Sequence, residues 1–344
     1  MDLATAYLIR CTLAGLLVLG AAVAPANGDL KIEPSEQWSG VFADSKRTFH
    51  YVVKTDKPFE GLAGWRFSIN PRTVSRGEVA VKAGPGKPAN IAIPLEIPPV
   101  KEGIIVKATL EVTVAGQGIE AEHVKSIWIF PRDPFVDRSR WLQDLKITLF
   151  DPEGKTAELF DKAKIPFKLT RNMASLDDLG KGLVVIGEGT SFADHRGLAE
   201  TLIDVAASGL PVLCLAPVDG RLPMPGAKLP KQPPPRRVSL RRQDVIRELD
   251  KRIDSVAWPP DGRLIASRFA VVTDRDWVVA EVVSDGEGWP WIEAQYSQKG
   301  GRLLLCGFNI VRQWDAGPAP RFLLARLFER LADEKPLSVK PKED

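Results

Sequence analysis

Between residues 29 and 130 apolar and polar side chains alternate in short runs broken by turn residues, the period-two signature of half-buried β-strands. The clearest runs are 48–53, 64–69, 89–97, 104–114 and 123–130, and Gly116, Gln117 and Gly118 supply a hairpin turn between the last two. Pro131 and Pro134 close this region as a short, stiff connector. Beyond it the period changes. Residues 145–150 read as a strand, 151–154 as a turn, 155–163 as a helix and 166–170 as a second strand. GLVVIGEGT (182–190) and GLPVLCLAP (209–217) are apolar runs that stop at turn signals, with a helical pattern between them. That is a strand–helix–strand crossover in a parallel sheet.

The stretch from Arg221 to Arg242 is proline-rich and basic, with Arg221, Lys228, Lys231, Arg236, Arg237, Arg241 and Arg242, and reads as a solvated surface loop. An amphipathic helix follows, with Val245, Ile246, Leu249, Ile253 and Val256 on one face. Residues 289–296 and 302–309 predict a hairpin turning at 299–301 and feeding an interior strand, and a last helix covers 319–332.

These elements predict an N-terminal antiparallel β-sandwich of immunoglobulin type, followed by a doubly wound α/β domain of flavodoxin type. The sandwich lacks the cysteine pair of antibody domains, so burial alone must hold it. The expected division is a signal peptide at 1–28, the sandwich at 29–132, a linker at 133–140, the α/β domain at 141–335 and a charged tail at 336–344. Arg10, the apolar run 13–24 and the small residues Ala26 and Gly28 suit export with cleavage before Asp29. The run is too short to span a bilayer, and Cys11 follows Ile9 and Arg10 rather than a lipoprotein signal. The expectation is an exported protein, periplasmic or extracellular, without a transmembrane segment in the mature chain.

Composition narrows the partners. Lysine and arginine number 47 against 44 acids, a net charge of +3, which is too small to imply a nucleic-acid ligand. Cys214 and Cys306 lie inside apolar runs and read as buried thiols. No cysteine or histidine spacing suggests a metal site, and no cofactor is expected. His50 and His123 sit on strands and His195 near a helix start, where each reads as packed or solvated.

In a parallel sheet, ligands bind beyond the carboxyl ends of the strands. The candidate ligand-binding residues are therefore Glu188, Gly189 and Thr190, the segment after Leu215, and the acids Asp151 and Asp219. The Gly187-to-Gly189 turn lacks the lysine and glycine spacing of a phosphate loop. Two carboxylates facing one cleft could hydrolyse a glycoside, with Glu188 the best placed.

GLPVLCLAP (209–217) and KGGRLLLCG (299–307), with Trp314 and Pro318 before the last helix, resemble class I glutamine amidotransferase-like domains. They look closest to the non-catalytic versions appended to some bacterial glycoside hydrolases. The resemblance spans the C-terminal domain. It implies a strained turn after the strand that in active members carries a glycine-flanked cysteine, with a histidine and an acid further on. Aligning Pro211 to Leu213 with that strand puts Ala216 at the nucleophile position and leaves Cys214 two residues early. No histidine follows His195, so the base that would activate a thiol is missing too. The expected function is that of a non-catalytic binding or scaffold protein of the envelope, with a glycan or an envelope protein as partner. The alternative is an envelope hydrolase acting on carbohydrate through carboxylates near Glu188.

Overall fold

The structure, a computed structural model, describes residues 29–177, 179–223, 235–242, 244–254, 268–272, 280–281, 289–296 and 301–332. The expected signal peptide and charged tail lie outside these residues. So do Lys228 and Lys231 of the basic stretch, Val256 of the amphipathic helix, and Lys299 and Gly300 of the last hairpin turn. The protein is β-rich and multidomain.

Eight strands come first: β1 (Leu30–Pro34), β2 (Gly40–Phe42), β3 (Ser45–Thr55), β4 (Phe59–Ile69), β5 (Arg72–Ala83), β6 (Ala89–Ile97), β7 (Val106–Gly116) and β8 (Ile119–Phe130). They form two sheets, β1-β3-β6 and β2-β8-β7-β4-β5. Only β2 runs parallel to its neighbour. Strand β6 shows why they pack. Ile91, Ile93, Leu95 and Ile97 are buried while the residues between them are exposed, so one face meets Phe49, Tyr51, Phe67, Leu110 and Ile127. Gln117 and Gly118, both at positive φ, turn β7 into β8.

The remaining elements are α1 (Ser139–Asp144), β9 (Ile147–Phe150), α2 (Lys155–Lys162), β10 (Phe167–Thr170), β11 (Val184–Ile186), α3 (Leu198–Ala207), β12 (Val212–Leu215), β13 (Asp219–Pro223), β14 (Arg237–Arg241), α4 (Asp244–Leu249), β15 (Arg268–Val272), β16 (Ala280–Glu281), β17 (Trp291–Gln295), β18 (Arg302–Cys306) and α5 (Pro318–Ala332). One seven-stranded sheet runs β10-β9-β11-β12-β18-β17-β14. Its first five strands are mutually parallel, and β17 and β14 add antiparallel pairs at one edge. Every residue of β9, β11, β12 and β18 is buried, as expected of strands covered on both faces. Helix α3 covers one face with Leu198, Leu202, Ile203 and Ala206. The other is covered by α2 and α5 through Leu159, Phe160, Leu323, Leu327 and Phe328.

Several details differ from the sequence reading. The link from β10 to β11 holds one turn of 3₁₀ helix, Met173–Leu176, where the alternation of a doubly wound fold calls for an α-helix. The helix expected through Ile253 ends at Leu249, because Asp250 turns back to take the Arg252 and Arg326 guanidiniums. Helix α1 starts at Ser139, in the last two residues of the expected linker, and continues to Asp144. The basic stretch is not a loop throughout: its ends are strands β13 and β14.

The two parts share a seam. Phe130 packs tilted against Phe322, ring centroids 4.7 Å apart, and Trp128 packs against the C-terminal core. Arg321 donates to the Arg132 carbonyl at 2.8 Å. The Asp254 carboxylate accepts from the backbone N–H of Ser39 (2.9 Å) and of Gly40 (2.8 Å) and from the Ser39 hydroxyl (2.8 Å). Among the described residues no helix is long and apolar enough to cross a membrane.

Candidate functional site

The chain leaves β9 toward β10 on one side and returns to β11 on the other, so strand order reverses between β9 and β11. The crevice at such a reversal, beyond the carboxyl ends, is where an open parallel sheet offers a site. Asp151 and the Gly187-to-Thr190 turn sit there, one step past β9 and β11.

Most polar groups in the crevice already hold the fold, although Asp151 Oδ1 is buried without a hydrogen-bond partner among the described residues. Asp151 is fully buried, and its Oδ2 accepts from Ala157 N in the first turn of α2 at 2.8 Å. It therefore occupies the place an anion would take at that helix N-terminus. A Cβ at Gly187 would lie 2.4 Å from Asp151 Oδ1, so only glycine lets the carboxylate pack there. Burial raises the Asp151 carboxyl above its ordinary range, against the backbone donors at Ala157, Thr156 and Gly154.

Glu188 is also buried. Its N–H donates to Thr156 Oγ1 at 2.9 Å. Its carboxylate accepts from Val311 N (2.7 Å) and Arg312 N (3.0 Å), clamping the β11 turn to the segment after β18. Burial raises this carboxyl too, and the backbone donors partly offset it. Gly189 has φ +88°, donates to the Ala216 carbonyl at 3.1 Å and has open space beside its Cα. Thr190 is fully buried and donates through Oγ1 to the Gly187 carbonyl at 2.7 Å. Asp219 lies further along, where its Oδ1 accepts from Ser191 Oγ (2.6 Å) and Ala193 N (3.4 Å).

The structure thus brings Asp151, Glu188, Gly189 and Thr190 together at the reversal and places Asp219 against the start of the next connection. All three carboxylates are engaged by backbone or hydroxyl donors. Two cavities are described elsewhere in the molecule, and neither is lined by any of these acids. His195 packs edge-on to Phe150 at 5.3 Å, and exposed His50 meets Glu36 at 2.5 Å. Among the described residues no group of three or more histidines, cysteines or acids is placed to hold a metal ion.

Ala216 is the unusual residue of the crevice. It follows β12 at φ +23°, a conformation that costs a side-chain-bearing residue on the order of 1–2 kcal/mol. Its N–H donates to the Cys306 carbonyl at 2.7 Å while its own carbonyl accepts from Gly189, so the bend is gripped from both sides. The cysteines take no part. Cys214 pairs in register with Leu305, and Leu215 with Cys306, so the two thiols face opposite sides of the sheet and cannot be bridged. Burial drives the Cys214 thiol far above its ordinary range and pushes Cys306 up to about 12. Cys214 should resist iodoacetamide at pH 7 in the folded chain, and Cys214→Ala should cost about 1 kcal/mol in denaturant unfolding. Rapid labelling under native conditions would overturn that expectation.

Sequence reasoning missed Asn309, a buried amide past β18 whose Nδ2 has no partner among the described residues. It missed Asp254 for a related reason, since nothing local marks an acid whose partner lies 215 residues away. The polar residues of β14, alternating at 237, 239 and 241, carried a readable signal that its basic, proline-rich surroundings masked.

No family model matches the chain, and no curated protein matches it. Among solved structures the chain is similar to the sporulation control protein Spo0M from Bacillus subtilis, at 10% identity over 34% of this chain and 54% of that one, with a TM-score of 0.24. It is similar to a β-glucosidase from Listeria innocua in complex with glucose, at 9% identity over 30% of this chain and 16% of that one, TM-score 0.23. A cycloisomaltooligosaccharide glucanotransferase from Paenibacillus sp. matches at 11% identity over 55% of this chain and 28% of that one, TM-score 0.24. The chain spans between 16% and 54% of the length of these structures, and likenesses at this level carry no argument about function.

Proposed function

We propose that this chain is an exported, non-catalytic binding protein of the cell envelope. In this reading the C-terminal unit is an amidotransferase-like domain of flavodoxin type that has lost its chemistry and serves as a platform. The N-terminal unit is an immunoglobulin-type sandwich that presents the ligand face. The observation that carries the reading is Ala216. It stands in a strained bend after β12, at the position where the resemblance puts a nucleophile, with a methyl group in place of a thiol or hydroxyl. A backbone bend that costs energy and performs no reaction fits a site whose architecture has outlasted its chemistry.

The outer face of the five-stranded sheet supplies a surface for binding. Its end at β2 and β8 packs against the C-terminal core through Trp128, and the rest is open. Gly64 on β4 leaves a gap in the row of outward side chains. Around it Arg66, Arg76, Glu78, Glu111, Thr113 and Glu122 line a groove of about 790 Å³. Arg66 Nε donates to Glu111 at 2.8 Å, which fixes both groups. Carboxylates and guanidiniums interleaved on a rigid sheet match the paired donors and acceptors of vicinal hydroxyls, so the ligand class is a neutral oligosaccharide.

Gly64→Leu tests this. A Cβ at Gly64 meets only the Gly77 carbonyl, at 4.0 Å, so the larger side chain fills the groove without disturbing the sheet. In a thermal-shift screen of the full chain against neutral oligosaccharides, at least one glycan should raise the melting temperature of the parent and leave Gly64→Leu unmoved. Equal shifts in both proteins, or glycan hydrolysis abolished by Glu188→Gln in a folded chain, would decide against it.

A further inference from the structure

We propose that a second cavity, at the antiparallel edge of the seven-stranded sheet, is a binding site for a small anion bearing phosphate or carboxylate groups. It follows from strand register. Arg237, Ser239 and Arg241 alternate onto one face of β14. They align with Gln295, Glu293 and Trp291 on β17, and these in turn with Arg302, Leu304 and Cys306 on β18. The rows grade from charged to apolar. Trp291, Leu304 and Cys306 join the core under α5, while Arg237, Gln295 and Arg302 stay at the polar end.

Helices α4 and α5 roof this polar end and enclose a cavity of about 260 Å³. Four guanidiniums line it, from Arg237, Arg241, Arg302 and Arg330, against two carboxylates, Glu248 and Glu293. Ser239 and Gln295 add neutral polar groups.

The cationic groups are held in place. Arg330 lies 5.6 Å from the centre of the Trp291 ring and donates to Glu293 Oε2 through Nε (3.0 Å) and Nη2 (2.7 Å). Arg302, only 4% exposed, donates through Nη1 to the Arg330 carbonyl at 2.9 Å. Arg241 is anchored by Asp244 at 2.7 Å and by Glu248. Arg237, exposed on β14, has no acidic partner among the described residues. Guanidiniums clustered in a partly enclosed space repel one another. Asp244, Glu248 and Glu293 compensate Arg241 and Arg330, whereas Arg237 has no acidic partner among the described residues. An anion that accepts bidentate hydrogen bonds from its fork offsets the remaining repulsion. The cavity is smaller than those that take drug-sized ligands, so the guest is an ion or a compact polyacid and not a polymer.

Titration calorimetry of the full chain at pH 7 in low chloride, with sodium phosphate in one arm and sodium citrate in the other, tests the assignment. At least one anion should bind saturably. Phosphate alone identifies a phosphate-bearing ligand, citrate alone a polycarboxylate, and both the shared chemistry. Arg237→Glu should weaken that binding by about tenfold or more, as loss of a charge-assisted pair implies. Its melting temperature without anion should match the parent, because the side chain is exposed and has no acidic partner among the described residues. The Arg237→Lys variant, which keeps the charge but not the fork, should fall between the two. Absence of saturable binding to the folded parent at about 20 mM of either anion, a concentration that reaches even weak sites, would overturn the proposal. So would equal affinity in Arg237→Glu.

Discussion

Asp254→Ala is expected to lower the unfolding free energy by about 4 kcal/mol, the largest effect of any single truncation proposed for this chain. The carboxylate accepts three hydrogen bonds from Ser39 and Gly40, and all three cross the seam between the N-terminal sheets and the C-terminal part of the chain. Bonds to a charged acceptor are worth more than neutral ones. Their loss would also leave the Gly40 N–H, buried beneath Phe130 and Pro318, without a partner. Asp254→Asn keeps one acceptor oxygen and should recover about half of the loss. Ser39→Ala removes only the hydroxyl bond and should cost about 1 kcal/mol. Urea melts of the three variants check the ordering. A loss below about 1 kcal/mol for Asp254→Ala would show that the seam is held by its aromatic contacts alone.

Glu188→Ala is expected to cost about 3 kcal/mol of stability, because it orphans the Val311 and Arg312 N–H groups and opens a space between the β11 turn and the segment after β18. The same change should leave glycan binding intact. Glu188→Gln gives a sharper test through pH. Burial raises the Glu188 carboxyl above its ordinary 4.5, so the folded chain holds this proton more tightly than the unfolded chain does. Between the two values the folded state carries the extra proton, and stability falls as pH rises. Asp151 shifts in the same direction and is unaffected by the substitution. Glutamine does not titrate, so the deficit of Glu188→Gln relative to the parent should be greatest near pH 4 and shrink as pH rises above 4.5. A deficit that grows with pH would mean that the carboxylate is stabilised, and not penalised, by its surroundings.

The acids of the candidate site show where reading a sequence stops. Position alone marks Glu188 and Asp151, because a residue just past a buried parallel strand must lie at the sheet's carboxyl edge. Whether such a residue faces a ligand or braces a turn depends on partners distant in the chain. For Glu188 these are 123 and 124 residues away, and no local pattern encodes them. The bend at Ala216 is equally silent, since alanine carries no preference for positive φ. It is imposed by the Gly189 and Cys306 bonds on either side.

By itself the sequence determined the strands whose environment is uniform. The alternation of β6 and the unbroken apolar runs of β11, β12 and β18 follow from one face or two being covered, and side-chain period reports that directly. Tertiary structure alone decided the rest. Strand β5 carries little apolar signal because it is an edge strand, much of it exposed. Strand β13 pairs with β15 across 44 intervening residues. Strand β14 emerges from a basic stretch only because β17 offers it an antiparallel edge. The arginine cavity exists because that pairing aligns Arg237 with Arg302 through Gln295 and sets Arg241 on the same face beside α4 and α5, a convergence set by register and packing rather than by spacing along the chain.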